Sequence, residues 1–270
     1  MEGKTKVHLT RIQETLLITL HAKALDHRSK NPILNDEKAD QLVSRIDYDF
    51  GKLKSIGNDN LLVVRAKQYD EWLKEFLKEN PEAVVLNLGC GLDTRISRIN
   101  PPASVHWFDV DYPEVIQLRE NFYSNKDGYR MIKTSITDPN WLAEIPGSQP
   151  TMIVADGVLE YLTEVEVKGL LNRITGYFLH GQIAFDVMNS YAIRSGQSRA
   201  SRTTGAIHKW SVENPEEVDR LDTKLKRMAE LSLFKSPYVH KLPWMFRWSY
   251  TAISLVPRYK NTIRLLRYQF

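Results

Sequence analysis

The chain has 270 residues, of which 42% are hydrophobic and 26% charged, a composition typical of a globular protein with a sizeable core. Its net charge of +4 is small and spread along the chain, so no nucleic-acid partner is expected. The single cysteine, Cys90, excludes an internal disulfide and favours a cytoplasmic protein. No apolar run approaches the roughly 18 residues of a membrane span, so no membrane partner is expected, and the oligomeric state is left open.

Amphipathic periodicity predicts helices over residues 10–28, 37–46 and 60–80, so residues 1–80 are expected to form an all-helical cap. From residue 81 onward, short apolar runs alternate with helical stretches, which is typical of a parallel sheet covered on both faces. The predicted strands span residues 83–89, 104–111, 129–135, 151–156, 181–188 and 262–270, the last at or beside the sheet edge. A polar segment over about 189–230 is expected to form a lid-like insertion in this core of residues 81–270.

The first predicted strand ends in the turn LGCGLDT, in which Gly89 and Gly91 flank Cys90. Ligands of open α/β sheets bind at the carboxyl ends of the strands. Glycine permits backbone angles closed to other residues and lets a ligand approach the chain. The turn is therefore a candidate ligand site, although a purely structural turn is also consistent with the two glycines. Cys90 is interpreted as a small turn residue rather than a nucleophile, because no histidine partner is evident.

The second predicted strand places Asp109 and Asp111 at its end, about 20 residues after Gly89. An acid at this position can accept hydrogen bonds from both hydroxyls of a ribose. Asp111 is the better candidate if it lies just past the strand. The alternative is that these acids cap the following helix, for which Pro113 is a suitable first-turn residue.

The turn differs from a dinucleotide site in two ways. Thr94 stands where such a site has its third glycine, and Asp93 places an anion where a pyrophosphate would lie. Both differences favour an adenosine ligand without phosphates and with a positive centre, such as S-adenosylmethionine. Asp156, after the fourth strand, could face the ammonium or sulfonium of that ligand or cap the next helix. Ser135 could contact the adenine.

The segments VVLNLGCGLDTR, FDVDYPEVI and VADGVLEYL, in this order and spacing, resemble the leucine carboxyl methyltransferase superfamily. ETLLITLHAKALDHRSKNPILND and VENPEEVDRL resemble its bacterial branch of tetracenomycin-type polyketide O-methyltransferases. The resemblance spans nearly the whole chain. It implies an α/β fold of the class I S-adenosylmethionine-dependent methyltransferases: a Rossmann-like, seven-stranded, mostly parallel sheet with one antiparallel strand and a helical N-terminal cap.

The resemblance also implies a cofactor site. Gly89 would lie against the methionyl part, Asp111 on the ribose, and Arg65 on the cofactor carboxylate. The family often has Asp where this chain has Ser135 and Glu where it has Asp156, so both are departures. The full set implied is Lys23, Arg65, Gly89, Gly91, Asp111, Ser135, Ile136 and Asp156. Without the resemblance, the two cations would be interpreted as solvated helix charges.

The acceptor side is less defined by the sequence. A carboxylate acceptor is already ionised at pH 7 and needs no base, whereas a hydroxyl acceptor does. His208, in the predicted lid, is the candidate base, against a structural role. Tyr161, Tyr191 and Arg194 are candidate substrate residues, and Arg194 could pair with a substrate carboxylate. The seven histidines are scattered, so no metal site is expected.

The sequence thus predicts an S-adenosylmethionine-dependent O-methyltransferase that acts on a carboxylate or hydroxyl of a small molecule, polyketide-like or another secondary metabolite. Two alternatives are a methyltransferase for a protein or peptide C-terminal carboxylate and a non-catalytic protein that binds the cofactor. A nicotinamide dehydrogenase is disfavoured by Asp93 and Thr94.

Overall fold

A computed structural model describes residues 5–6, 15–53, 59–195 and 207–270. The strands are β1 Thr5–Lys6, β2 Ile46–Asp47, β3 Val84–Leu88, β4 His106–Asp111, β5 Tyr129–Lys133, β6 Thr151–Ala155, β7 Gly181–Met188, β8 Lys226–Ser232 and β9 Ile263–Gln269. The α-helices are α1 Thr15–His27, α2 Glu37–Arg45, α3 Asp59–Glu79, α4 Arg95–Ile99, α5 Pro113–Arg119, α6 Glu164–Tyr177, α7 190–195, α8 Pro215–Asp219, α9 Trp244–Leu255 and α10 Pro257–Lys260. Short 3₁₀ turns occur at Phe50–Leu53, Trp141–Glu144, Leu159–Tyr161, Leu233–Lys235 and Pro237–Lys241.

The centre of the molecule is a seven-stranded sheet of order β5-β4-β3-β6-β7-β9-β8. Strands β3 to β7 pair in parallel, and β9 runs antiparallel to both of its neighbours. This confirms the mostly parallel, seven-stranded α/β sheet with one antiparallel strand that the family resemblance implies. The alternating side chains of β3 enter two different layers: Val84 and Leu86 pack with α6, whereas Val85 packs with α3. Burial on both faces explains why the strand is a continuous apolar run.

The strand order reverses at β3, which lies between β4 and β6. Leu88 is paired with Val110 of β4 and Ala155 of β6, so the three strands end side by side. The residues that directly follow these pairs are therefore brought to one edge of the sheet, where open α/β folds bind their ligands.

The predicted strands are confirmed to within a few residues, and β9 lies beside the edge strand as expected. Two predictions were wrong. Residues 226–230 were assigned to the lid, but they belong to the edge strand β8. This strand contains the charged residues Lys226, Arg227 and Glu230, so its sequence resembles a solvated segment rather than a strand. The cap is not all-helical, because Thr5 of β1 pairs with Ile46 of β2.

Several other expectations concern the ends of the cap and lid. Residues 10–14 of the first predicted helix and 196–206 of the predicted lid lie outside the described residues. The division at residue 80 stays a prediction, and α3 shares a core cluster with the sheet. Across the described ranges, no helix combines the length and apolar character needed to cross a bilayer.

Candidate cofactor and active site

The glycine turn after β3 requires both of its glycines. Gly89 has φ +59° and Gly91 has φ +50°, which is left-handed backbone that side chains disfavour. A Cβ on Gly89 would also lie 2.5 Å from Val158 Cγ2, so the loop after β6 packs directly on the turn. Between the glycines, Cys90 is buried, and this burial raises the pKa of its thiol well above the usual range. Both observations agree with a turn residue rather than a nucleophile.

Asp111 joins the end of β4 to the glycine turn. Its Oδ2 accepts the N–H of Gly91 at 2.7 Å, and its Oδ1 accepts the N–H of Tyr112 at 2.8 Å. Burial raises the pKa of Asp111 to about 6, against the opposing effect of these two hydrogen bonds. Each carboxylate oxygen keeps a further lone pair, so Asp111 can still accept hydrogen bonds from the hydroxyl groups of a ligand in the cavity.

Asp109 lies only two positions before Asp111, but its role is structural and it does not line the cavity. It is fully buried and accepts hydrogen bonds from Arg119 Nη2 at 2.5 Å, Tyr129 Oη at 2.6 Å and Trp107 Nε1 at 3.0 Å. This carboxylate holds β4, β5 and α5 together. Of the two candidate ribose acids, the structure therefore leaves Asp111 to face a ligand.

Arg65 of α3 is held between two carboxylates. Its Nε lies 2.6 Å from Asp156 Oδ1, and its Nη1 donates to Asp186 Oδ2 at 2.9 Å. Burial opposes ionisation of Asp156, but the charges of Arg65 and Arg95 outweigh it and lower the pKa of this carboxyl. Burial raises the pKa of Asp186 to about 6 despite Arg65. Asp186 also accepts the N–H of Gly157 at 2.7 Å, which ties Arg65 to the loop after β6.

Asp93 in the glycine turn is surrounded by cations. Lys23 Nζ lies 2.6 Å from its Oδ1, Arg95 Nη1 lies 2.7 Å from its Oδ2, and Arg98 Nη1 lies 3.2 Å from its Oδ1. Burial opposes ionisation of Asp93, but these charges outweigh it and hold the pKa well below the usual range. Asp93, which the sequence argument used as an anion that disfavours a pyrophosphate, thus has its charge offset by cations of the protein.

Among the described residues, ion pairs connect these groups into one buried cluster. Its cations are Lys23, Arg65, Arg95 and Arg98, and its carboxylates are Asp36, Asp70, Asp93, Asp156 and Asp186. The carboxylates exceed the cations by one, so the cluster carries a net negative charge beside the glycine turn. Such a charge favours a ligand with a net positive charge.

The loop after β6 builds a second group of side chains. His208 Nε2 lies 3.5 Å from Glu160 Oε1, and the His208 ring stacks on Tyr161 at 5.1 Å between centroids. The His208 and Glu160 side chains are only 6% and 7% exposed. The backbone oxygen of Glu160 accepts the N–H of Lys209 at 2.7 Å, which fixes the segment that carries His208. Glu160 Oε2 is buried and has no hydrogen-bond partner within the described part of the chain.

One cavity of about 940 Å³ joins the two groups, a volume typical of small-molecule sites. Its lining includes Lys23, Arg65, Gly89, Gly91, Asp111, Ser135, Ile136 and Asp156, a set that we call the cofactor end. Its lining also includes Glu160, Tyr161, Tyr191 and His208, a set that we call the acceptor end. The two sets adjoin, because the charge of Glu160 acts on Arg65.

Two of the residues predicted to bind a ligand, Ser135 and Arg194, lie in positions less suited to that role. Ser135 Oγ lies 2.7 Å from Thr137 Oγ1, so it is engaged in its own turn although it lines the cavity. Arg194 is not brought to the large cavity. Its Nη2 donates to Ser190 Oγ at 3.2 Å and it lines a separate pocket of about 330 Å³, because the helical spacing turns Tyr191 rather than Arg194 towards the large cavity.

Sequence reasoning missed Glu160 and Asp186. Asp186 had a usable signal, since an acid inside an otherwise apolar, doubly buried strand needs a buried partner. Glu160 stands beside Tyr161 in VLEYL, where an acid on a helical stretch usually indicates a solvated charge.

The fold is shared with known structures. A DUF574 family protein from Streptomyces avermitilis superposes with a TM-score of 0.60 at 12% identity, covering 94% of this chain and 96% of that one. A Thermobifida fusca protein gives a TM-score of 0.58 at 16% identity, with 92% and 93% covered.

Relatives in sequence are closer. The chain is 38% identical over 270 residues to the tetracenomycin polyketide synthesis O-methyltransferase TcmP of Streptomyces glaucescens, covering 99% of this chain and 100% of that one. It is 34% identical over 239 residues to the S-adenosyl-L-methionine-dependent methyltransferase dpfgK of Gibberella zeae, covering 80% of each.

Fold, site and relatives together define an S-adenosylmethionine-dependent O-methyltransferase. Residues 16–175 match the leucine carboxyl methyltransferase family profile. The chain belongs to the leucine carboxyl methyltransferase family.

The residues present fit S-adenosylmethionine. The sulfonium and ammonium of this cofactor outnumber its single carboxylate, so it brings the net positive charge that the buried cluster lacks. Asp111 offers a carboxylate for a ribose, and the buried Ile136 offers an apolar wall.

Proposed function

We propose that this enzyme methylates a hydroxyl oxygen, phenolic in the simplest case, on a polyketide-like small molecule, with His208 as the base. The observation that carries the proposal is the His208–Glu160 pair at 3.5 Å in the same cavity as the cofactor residues. A carboxylate acceptor would need no such pair, because it is ionised at neutral pH. A phenol, with a pKa near 10, gains from a base held beside a carboxylate.

The cofactor end would bind and orient the methyl donor. S-adenosylmethionine, when bound, supplies an electrophilic methyl group on its sulfonium. Asp111 would accept hydrogen bonds from the ribose, and Ile136 would contact the adenine. Arg65 and Lys23 would face the cofactor carboxylate, while Asp156 would face a positive group. Ser135 would contribute less, because its hydroxyl is engaged with Thr137.

The acceptor end would hold the hydroxyl and remove its proton. His208, whose Nε2 lies 3.5 Å from Glu160 Oε1, would take the proton from the acceptor oxygen. Glu160 would then stabilise the imidazolium that forms, as an acid does in other base–carboxylate pairs. The stacked ring of Tyr161 and the ring of Tyr191 would provide flat walls for an aromatic acceptor.

Two further observations support the proposal. The first concerns the size of the acceptor, and the second concerns the compartment of the enzyme. The relative TcmP, which this chain matches along its length, is named for a role in tetracenomycin polyketide synthesis. The single cysteine is buried, which suits a cytoplasmic enzyme that needs no disulfide.

A transfer assay with a labelled methyl donor tests the proposal. The panel contains polycyclic phenols, aromatic carboxylic acids and a peptide ending in a leucine carboxylate. We expect labelled methyl ethers of the phenols, which survive mild alkali. Label found only in alkali-labile esters of the acids would overturn the proposed acceptor, and label on the peptide alone would favour a C-terminal carboxyl methyltransferase.

A further inference from the structure

Helix α9 presents an apolar stripe to solvent. Its members, which we call the α9 stripe, are Trp244, Met245, Trp248 and Leu255, with exposed fractions of 67%, 62%, 71% and 76%. The spacing of positions 244, 248 and 255 places these three side chains on one face of the helix. The opposite face contacts the protein through Tyr250, whose ring lies 5.6 Å from that of Phe234.

The tryptophans make this surface unusual. The chain has six, and the four outside α9 are buried: Trp72, Trp107, Trp141 and Trp210. The two exposed tryptophans therefore both lie on the α9 stripe. A contiguous exposed apolar patch of this kind marks an interaction surface rather than ordinary surface scatter.

The chain segment that contains the stripe carries charges of a single sign. Residues 231–270 contain Lys and Arg but no Asp or Glu. Lys241 and Arg247 are exposed next to the stripe. On α3, which packs beside this region, Glu71 is already paired with Lys67 at 2.7 Å and Lys74 at 3.5 Å. Glu75 of α3 is likewise paired, with Arg267 at 2.8 Å, so among the described residues the unpaired charges that flank the stripe on its own segment are those of Lys241 and Arg247.

We propose that the α9 stripe docks onto an anionic lipid surface. Exposed tryptophans and a leucine flanked by basic residues are typical of a helix lying in the membrane interface. Anionic lipid attracts each flanking Lys or Arg. A second copy packed on the same patch about a two-fold axis would instead bring Arg247 and Lys241 towards their own copies.

The position of α9 connects this surface to the active site. Ile253, on the side of the helix away from the stripe, lines the large cavity. Docking would thus set the cavity close to the lipid, from which a lipophilic acceptor can enter. The expectation of no membrane partner rested on the lack of a spanning segment, and the proposal concerns only surface contact. It does not depend on which acceptor oxygen is methylated.

Co-sedimentation with vesicles tests the proposal. The vesicles contain phosphatidylcholine alone or mixed with phosphatidylglycerol. We expect the wild type to bind the anionic vesicles and Trp244→Gln/Trp248→Gln to bind them at least about tenfold more weakly. Val165→Gln/Leu179→Gln is the matched control, because these exposed apolar residues, at 81% and 75%, lie outside α9. It should bind as the wild type does.

Two further measurements keep the result interpretable. Brominated anionic lipid should quench the fluorescence of Trp244 and Trp248 in the wild type. Lys241→Glu/Arg247→Glu, which leaves the stripe intact, should also bind at least about tenfold more weakly. Unchanged affinity for S-adenosylhomocysteine would show that the variants are folded.

Three outcomes would overturn the proposal. The first is a wild type that fails to bind anionic vesicles. The second is equal binding by the tryptophan variant and the wild type. The third is a dimer in sedimentation equilibrium that the tryptophan variant abolishes while vesicles stay unbound, which would assign the stripe to a second copy of the chain.

Discussion

The two ends of the large cavity are built from different parts of the fold. The cofactor end lies on the ends of three adjacent parallel strands and rests on a buried ion-pair cluster. The acceptor end consists of the loop after β6, helix α7 and the segment that carries His208. A ligand common to a fold is bound by its strand ends, whereas the particular substrate is selected by loops. The predictions below test this separation.

The largest effect is expected at the base of the cofactor end. Arg65→Met leaves Asp156 and Asp186 as buried carboxylates without this partner, and should lower the free energy of unfolding by about 3–5 kcal/mol. Urea denaturation measures the change. Arg28→Met is the control, because the Arg28–Asp40 pair at 2.5 Å is partly exposed and should cost less than about 1 kcal/mol. Equal losses in the two variants would contradict the buried cluster.

At the acceptor end, His208→Gln should lower kcat on a phenolic acceptor by at least about a hundredfold, because it removes the proposed base. Affinity for S-adenosylhomocysteine should stay within about twofold of the wild type, since His208 belongs to the other end. His180→Gln, at an exposed position, is the control and should leave turnover unchanged. Undiminished turnover in the His208 variant would remove it as the base.

Asp111→Asn tests whether the cofactor end contributes to the affinity for S-adenosylhomocysteine through this carboxylate. Hydrogen bonds to a charged acceptor are worth about 1.5–3 kcal/mol, so the dissociation constant for S-adenosylhomocysteine should rise about tenfold to a hundredfold. The free energy of unfolding should fall by about 1–3 kcal/mol, because the single amide oxygen of Asn can accept only one of the two backbone N–H groups that Asp111 accepts. Calorimetric titration measures the affinity, with the exposed Asp127→Asn as control. Wild-type affinity would exclude Asp111 from the site.

The pH dependence of binding gives the smallest effect. Because burial raises the pKa of Asp111 to about 6, only about a tenth of it is ionised at pH 5, and affinity should fall about tenfold between pH 7 and pH 5. Its favourable contribution to folding is present below about pH 4 and is lost as pH rises through 6, so acid does not unfold the protein through this group. In Asp111→Asn this pH dependence should become smaller, and what remains would come from Asp186, whose pKa burial also raises to about 6. The same slope in both proteins would exclude Asp111 as its source.

Much of the cofactor end could be predicted from the sequence. Strands β3 to β7 are short apolar runs, and the residues that follow β3, β4 and β6 meet at one sheet edge whatever the details of packing. The pattern favoured Asp111 over Asp109 only by its position at the strand end, and it did not indicate the partners Arg119 and Tyr129 that give Asp109 its structural role.

The rest depended on contacts distant in sequence. Lys23 neutralises Asp93 from 70 residues away, which no local pattern indicates. The pairing of Glu160 with His208 likewise depends on where the segment after residue 206 returns to the core. Edge strand β8 was missed because its charged residues resemble a solvated segment.

The most direct test of the separation is calorimetric titration of S-adenosylhomocysteine into the wild type, Asp111→Asn, His208→Gln and the double variant. If the two ends act independently, the double variant should bind as Asp111→Asn does, within about twofold. A further loss of affinity in the double variant, or a loss in His208→Gln as large as that in Asp111→Asn, would contradict the account.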